Sequence, residues 1–254
     1  MRKKMSLKYD SAKKLRKEKK KWKVETPEEY EDMEDTFLKE RILHRDPTIK
    51  GFVRVTGGKV KNFKLEIPKT TRPLTDRMKV RIFDILKQDI QNKKILDLYA
   101  GAGSFGLEAL SRGAKHVTFV EASKYAYHAI QKNIEKTGFT SQTEVIKSKV
   151  EDFLFKKTAT EPIETFDIIF LDPPYKLFNT KKTFKMATTI NSASQLLPGI
   201  ANPSTKSFKG ALILKHPKRY PLRSIDIKNM ELVESIQFGL NSISFFIAKK
   251  EIKI

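Results

Sequence analysis

The chain contains no cysteine. That excludes disulfides, thiolate metal sites and a cysteine nucleophile, and it fits a reducing, cytoplasmic setting. Histidine is scarce as well: His44, His116, His128 and His216 lie far apart in sequence, so no metal site is expected. No apolar run approaches the roughly 18 residues of a membrane span, so no membrane association is expected. The basic N-terminus has no apolar stretch behind it and does not read as a secretory signal. Acids are in short supply: 30 Asp and Glu stand against 51 Lys and Arg, giving a formal net charge of +21. An excess of that size points to a polyanionic partner, nucleic acid first.

What is present is enough for one good-sized domain with extensions, since the chain has 254 residues of which 39% are hydrophobic. Residues 1–23 are dominated by Lys and Arg, with Asp10 and Glu18 the only acids. Such a segment cannot bury much and reads as disordered when free. It is an arm for RNA, a solubilising tail or an import-like address. From Thr26 the sequence changes sign. Thr26 as N-cap, Pro27 at the first helical position and Glu29 at the third form a capping box. Tyr30, Met33, Phe37, Leu38 and Leu43 then recur at helical spacing. Residues 1–50 are therefore expected to form a basic, partly disordered extension with one amphipathic helix.

Residues 51–90 read as a hairpin and a helix ahead of the main domain. Phe52–Thr56 and Phe63–Ile67 suit two short strands around a Gly57-Gly58 turn. Met78, Ile82, Ile85 and Leu86 predict a helix that begins near Asp76, a good N-cap. From residue 91 to 254 apolar, β-rich runs alternate with helical stretches. Strands are predicted at Ile95–Leu98, Val117–Val120, Glu144–Ile146, Ile168–Leu171, Ala211–Leu214, Glu231–Phe238 and Ser242–Ala248. This alternation specifies an α/β fold, a doubly wound and mostly parallel seven-stranded sheet, with the last two strands as an antiparallel edge hairpin.

Two places in that domain carry chemistry. The first strand runs into "DLYAGAGSFGLEAL", where Gly101, Gly103 and Gly106 form a G-x-G-x-x-G between strand and helix. Glycines let the backbone turn tightly and approach a ligand, and the helix behind them presents a positive dipole end. Glu121, at the end of the second strand, suits ribose hydroxyls. A dinucleotide site has both features. Asp97, four residues before Gly101, argues against it, because a carboxylate there favours a cationic ligand such as S-adenosylmethionine. The second place is "FDIIFLDPPYK", in which a continuous apolar run meets Asp172, Pro173, Pro174 and Tyr175. A strand covered on both faces reads as such a run, and proline ends it. Asp172 is thereby expected at the carboxyl end of a central strand, where open α/β sheets place ligands. As a mere turn, Asp-Pro-Pro needs no function.

A glycine loop followed by "DPPY" resembles the S-adenosylmethionine-dependent methyltransferases that modify exocyclic amino groups of bases. Within them the chain is similar to the bacterial 16S ribosomal RNA guanine-N2 methyltransferases, a Rossmann-like class I family. The resemblance covers roughly Val53 to Ala248 and rests on "VRVTGGKVKNFKL", "RPLTDRMKVRIFDIL", "LDLYAGAGSFGLEALSRGA" and "LDPPY". It implies transfer of a methyl group from S-adenosylmethionine to guanine N2 in ribosomal RNA, free or in a small-subunit particle, by a monomer. Asp172 and the Pro173 carbonyl would orient the amino nitrogen, Pro174 would stiffen the loop, and Tyr175 would stack on the base. Asp97, Tyr99, Gly101, Gly103, Ser104, Glu121, Ala122, Val150 and Thr75 would hold the cofactor. Arg72, Asp76, Arg77 and Lys79 would meet the RNA. Phe105 reads as core. The chain departs from the family pattern at Leu74, Val80, Lys149 and Lys215; the last two stand where an acid or amide is common. The rival functions are a DNA adenine-N6 or cytosine-N4 amino methyltransferase and a non-catalytic RNA-binding protein on the same fold.

The arm generates the first prediction. Each phosphate contact made by its Lys and Arg side chains releases counterions, and such contacts do not read sequence. Deleting residues 1–23 is expected to weaken binding nearly equally for target and non-target RNA. It should also flatten the slope of log K against log salt by about 0.7–0.9 per lost contact. Salt titration of full-length and truncated protein checks this; identical slopes make the arm a solvated tail or an address.

Overall fold

A computed structural model describes residues 49–68, 71, 73–178, 183–201, 210–220, 222 and 227–249. The basic arm, the helix predicted from Thr26, and Arg72 lie outside these described residues. The chain opens with an antiparallel pair, β1 (Ile49–Arg54) and β2 (Lys64–Pro68). Period-two alternation buries Val53 and leaves Phe52 and Arg54 outside. Both strands fall short of the predicted residues at the turn. Pairing continues there as single bonds, Val55 N–H to Phe63 O at 2.9 Å and Asn62 N–H to Val55 O at 2.8 Å.

Helix α1 (Asp76–Leu86) follows, and its apolar stripe of Met78, Ile82, Phe83 and Leu86 is buried. Its N-cap is Thr75, whose hydroxyl accepts the Met78 N–H at 3.3 Å. The cap expected at Asp76 is thus one residue earlier, and Asp76 is the first helical residue. The order then runs β3 (Lys94–Leu98), α2 (Ser104–Ser111), β4 (His116–Glu121), α3 (Lys124–Thr137), β5 (Thr143–Lys147), α4 (Val150–Thr158), β6 (Ile168–Leu171), α5 (Thr183–Ser194), β7 (Ala211–Pro217), β8 (Met230–Phe238) and β9 (Asn241–Ala248).

The seven strands β3 to β9 form one sheet in the order β5-β4-β3-β6-β7-β9-β8. β3, β4, β5, β6 and β7 are parallel, and β9 and β8 close one edge antiparallel. This is the doubly wound sheet with an edge hairpin that the sequence predicts. All four residues of β6 are buried, which is why the strand reads as an unbroken apolar run. From β3 the chain winds outward through β4 and β5, then returns to place β6 on the other side of β3. The strand order therefore reverses between β3 and β6.

One face of the sheet packs on α2, on α1 and on the hairpin. Val55, Leu65, Ile67, Leu74 and Ile82 share a core cluster with Phe105, Phe119 and Phe170. The hairpin is also bolted to the domain by a buried polar knot. Glu108, fully buried on α2, accepts the Thr56 N–H at 2.7 Å, the Thr56 hydroxyl at 2.7 Å and Arg112 Nε–H at 2.9 Å. Lys79, also fully buried, lies 3.6 Å from the same carboxylate and donates to the Arg54 carbonyl. Burial pulls the Lys79 ammonium below its usual range, against the attraction of Glu108 and Asp76.

Removing one partner of a buried pair is costly when it strands the other. Glu108→Ala leaves the Lys79 charge with only Asp76 opposite and the Thr56 N–H without its acceptor. It is expected to cost about 3–5 kcal/mol. Lys79→Met leaves Glu108 still matched by Arg112 and Thr56, and should cost about 1.5–3 kcal/mol, in the range of a lost charged hydrogen bond. Urea denaturation of both variants checks the order; equal losses contradict the arrangement.

Candidate active site

At the point of strand reversal β3 and β6 end side by side, with Leu98 paired to Leu171. In open α/β sheets the crevice beyond such strand ends is where ligands bind. Beyond Leu98 the backbone turns at once. Tyr99 has φ 57°, Gly101 φ 60° and Gly103 φ 74°. A left-handed conformation costs a glycine nothing, but is unfavourable for an aromatic side chain and is tolerated where the surroundings enforce it. Gly103 caps α2, and Ser104, its first residue, is buried. Gly106 has a different role from the two before it. A Cβ there would stand 2.3 Å from Phe119 Cε1, so only glycine lets α2 lie against β4.

Three side chains hold this glycine turn. Glu121, at the end of β4, accepts the Gly101 N–H at 2.9 Å and the Ser123 N–H at 2.8 Å. Asp97 accepts the Gly106 N–H at 3.0 Å from inside the turn. Asn133 of α3 donates to the Ala102 carbonyl at 3.1 Å and to Glu66 O at 2.9 Å, while its oxygen accepts the Glu66 N–H at 2.8 Å. Asn133 thus ties β2 to the turn, a role that sequence reasoning missed. The signal is a polar residue on the apolar face of α3, between Ile130 and Ile134, where it is fully buried.

The second wall comes from β6. Asp172 keeps its N–H on Leu98 O at 3.3 Å, which holds the Asp-Pro-Pro segment against the end of β3. Pro173 is buried and Pro174 exposed, and a short 3-10 turn, Tyr175–Phe178, begins there. Lys215, near the end of β7, places Nζ 2.5 Å from Asp172 Oδ1 and 5.9 Å from the centre of the Tyr175 ring. The third wall is the segment just before α1. Pro73 and Leu74 line the crevice together with Asp97, Tyr99, Gly101 and Asp172.

The crevice is a carboxylate-lined place in a strongly basic chain. Burial pushes the Asp97 carboxyl well above its usual range, with the charges of Asp172 and Glu121 adding to the effect and the Gly106 N–H opposing it. Burial also raises Glu121, against the N–H groups of Ser123, Gly101 and Ala122. The Tyr99 hydroxyl sits 3.4 Å from Glu151 Oε1, and burial, then the Glu151 charge, raise it.

The structure brings together Asp97, Tyr99, Gly101, Gly103, Ser104, Glu121 and Asp172 to Tyr175. Ala122 follows Glu121 at the rim. Val150 is the first residue of α4, where an N–H has no acceptor within the helix. Lys149 before it is exposed and makes no side-chain cap. Phe105 is core, stacked on Phe170 with centroids 4.1 Å apart. In the segment before and within α1, Thr75 is exposed, and its hydroxyl accepts the Met78 N–H while keeping its own O–H to donate. Asp76 is ion-paired with Arg54 at 2.7 Å at the surface. Lys79 is buried in the Glu108 knot and cannot reach a phosphate. Asp97 is 1% exposed and directed at Gly106, so it shapes the turn more than it displays charge to a ligand. Arg77 is exposed, with its guanidinium 6.0 Å from the Phe238 ring centre.

A seven-stranded sheet of this order with a glycine turn at the reversal is the Rossmann-like methyltransferase fold. Solved structures agree: one described as "putative methylase HI0767 from Haemophilus influenzae" matches with TM-score 0.57 at 30% identity, over 78% of this chain and 99% of that one. One described as "Putative methyltransferase yhhF from Escherichia coli" matches with TM-score 0.63 at 24% identity, over 79% and 100%. Among curated relatives, "Ribosomal RNA small subunit methyltransferase D" of Haemophilus influenzae is 41% identical over 132 residues, 51% of this chain and 67% of its own length. "Putative rRNA methyltransferase YlbH" of Bacillus subtilis is 28% identical over 196 residues, 76% and 98%. Residues 53–247 match the family described as "Conserved hypothetical protein 95", and the chain belongs to that family.

The glycine turn yields a test that needs no ligand. Glu121→Ala strips the Gly101 N–H of its acceptor, a loss of about 1–3 kcal/mol. Amide exchange across residues 99–103 is expected to quicken about 10–100-fold, since each 1.4 kcal/mol is about a factor of ten. Unchanged protection contradicts the role given to Glu121.

Proposed function

We propose that this protein transfers a methyl group from S-adenosylmethionine to the exocyclic N2 amino group of a guanine in small-subunit ribosomal RNA. The observation that carries the reading is the placement of Asp172-Pro173-Pro174-Tyr175 across the strand reversal from the glycine turn. It lets a cofactor on the turn and a base on the Asp-Pro-Pro segment share one crevice. The relatives named as ribosomal RNA methyltransferases support the substrate class.

The crevice fits S-adenosylmethionine chemically. Gly101 is left-handed at φ 60°, a conformation that lets the turn present its backbone to a ligand, and Thr71 lies in ordinary contact beside it. Glu121 holds the Gly101 N–H through one oxygen and the Ser123 N–H through the other. A carboxylate has about four lone-pair sites, so acceptors remain for ribose hydroxyls. Asp172 lines the crevice and puts a carboxylate beside a cationic ligand. S-adenosylmethionine, when bound, supplies an electrophilic methyl on a sulfonium, which leaves as a neutral thioether.

The residues supply orientation. A guanine amino nitrogen is a poor nucleophile because its lone pair is delocalised into the ring, so alignment matters more than acid–base strength. The Asp172 carboxylate accepts one N–H of the amino group and the Pro173 carbonyl accepts the other. Proline serves here because it offers an acceptor with no competing donor and fixes φ. The nitrogen gains positive charge with the methyl group, sheds a proton to solvent, and is stabilised meanwhile by the carboxylate. Tyr175 stacks on the base, which must leave its RNA stack to enter; stacking is worth about 1–3 kcal/mol and offsets part of that cost. The net charge of +21 and the exposed Arg77 suit a phosphate backbone.

Tritium transfer from labelled S-adenosylmethionine to purified ribosomal RNA and to DNA, followed by nucleoside digestion, tests the reading. The expected product is N2-methylguanosine in RNA; label in DNA adenine or cytosine, or no transfer, contradicts it. Asp172→Ala is expected to lower kcat about 100-fold or more, the scale of a lost alignment. Its affinity for S-adenosylmethionine by calorimetry should stay within a few-fold of the parent.

A further inference from the structure

Lys215, near the end of β7, is a buried lysine held against the Asp-Pro-Pro segment. β6 and β7 are paired Leu171 to Leu214, so Asp172 and Lys215 follow at the same level on neighbouring strands. The pair is close, Nζ to Oδ1 at 2.5 Å, and largely shielded, with the side chains 9% and 16% exposed. An ammonium on a flexible stem is seldom buried unless a partner holds it. Here the β-sheet register fixes its origin, the Asp172 carboxylate holds its end, and the Tyr175 ring lies within cation–π range.

We infer that Lys215 is a positioning residue for methyl transfer: it holds Asp172 through Oδ1 and turns Oδ2 toward the target amino group. The inference rests on the function proposed above. A carboxylate's terminal torsion is broad, so an Asp at a strand end has no preferred plane of its own. A fixed donor on one oxygen supplies it. The same cation opposes the positive charge gained by the nitrogen. Orientation must therefore outweigh repulsion for Lys215 to help, and that balance is open to measurement.

Lys215→Met, Lys215→Gln and Lys215→Arg are compared in the full chain with ribosomal RNA and S-adenosylmethionine. Lys215→Met is expected to lower kcat about 10–100-fold, the scale of a misaligned reacting group. KM for RNA and affinity for S-adenosylmethionine should stay within about three-fold, because neither ground-state contact involves this side chain. Lys215→Arg and Lys215→Gln keep a donor and should hold kcat within about five-fold of the parent. Should Lys215→Met fail to fold, Lys215→Gln still decides, because a 10–100-fold loss there shows that a donor is insufficient and overturns the inference. A kcat for Lys215→Met that is unchanged or raised also overturns it. So does a rise in KM for RNA with kcat kept, which makes Lys215 a phosphate contact. If the parent protein transfers no methyl to RNA, the proposed function fails instead; if it is active, these outcomes concern Lys215 alone.

Discussion

The site depends on the lateral pairing of β3 with β6. Because Leu98 meets Leu171 where the sheet reverses its winding, the two chains leaving those strands diverge from one point. One becomes the glycine turn and the other the Asp-Pro-Pro segment. A slip of one residue would flip the apolar side chains of β6 to the opposite face. Both faces of β6 are buried, with Ile168 and Phe170 in one cluster and Ile169 and Leu171 in the other. Burial of each such side chain is worth about 1.5–3 kcal/mol, so the register is held by far more than the site itself contributes.

The polar groups around that point divide the work. Glu121, Asp97 and Asn133 each receive or give hydrogen bonds to the backbone of the turn, and so act as scaffold. Among the described residues, Asp172 is met by Lys215, while Asp97 and Glu121 are held by backbone N–H groups. The crevice collects acids in a chain that is otherwise strongly basic, which suits a cationic cofactor inside and a polyanion outside. The N-terminal hairpin is part of this scaffold: Asn133 links it to the glycine turn, and the Glu108 knot fixes the hairpin's own turn end to α2.

The sheet, its edge hairpin and the crevice were legible in the sequence because their signals are local. An apolar run stopped by two prolines marks a buried strand, and glycines at fixed spacing mark a strand-to-helix turn. What sequence misassigned depends on distant partners. Lys79 reads as exposed because lysine usually is, and its burial is set by Glu108, 29 positions away on another helix. Thr75 and Asp76 are both good caps, so sequence alone could not choose between them. The bond from Thr75 to Met78 and the ion pair of Asp76 with Arg54 make the choice. Asp97 was correctly placed at a strand end, but its direction toward Gly106 follows from a turn that only the folded backbone defines. Asn133 and Lys215 have no motif around them, and their partners lie 67 and 43 residues away.

The central claim is that cofactor and target base meet across the strand reversal. A crystal structure of the protein with S-adenosylhomocysteine tests it most directly. The sulfur is expected between Gly101 and Asp172, with the ribose toward Glu121, and room beside the sulfur for an amino nitrogen about 3–3.5 Å from a transferred methyl. Sulfur placed away from Asp172, with the Asp-Pro-Pro segment facing no ligand, would contradict it.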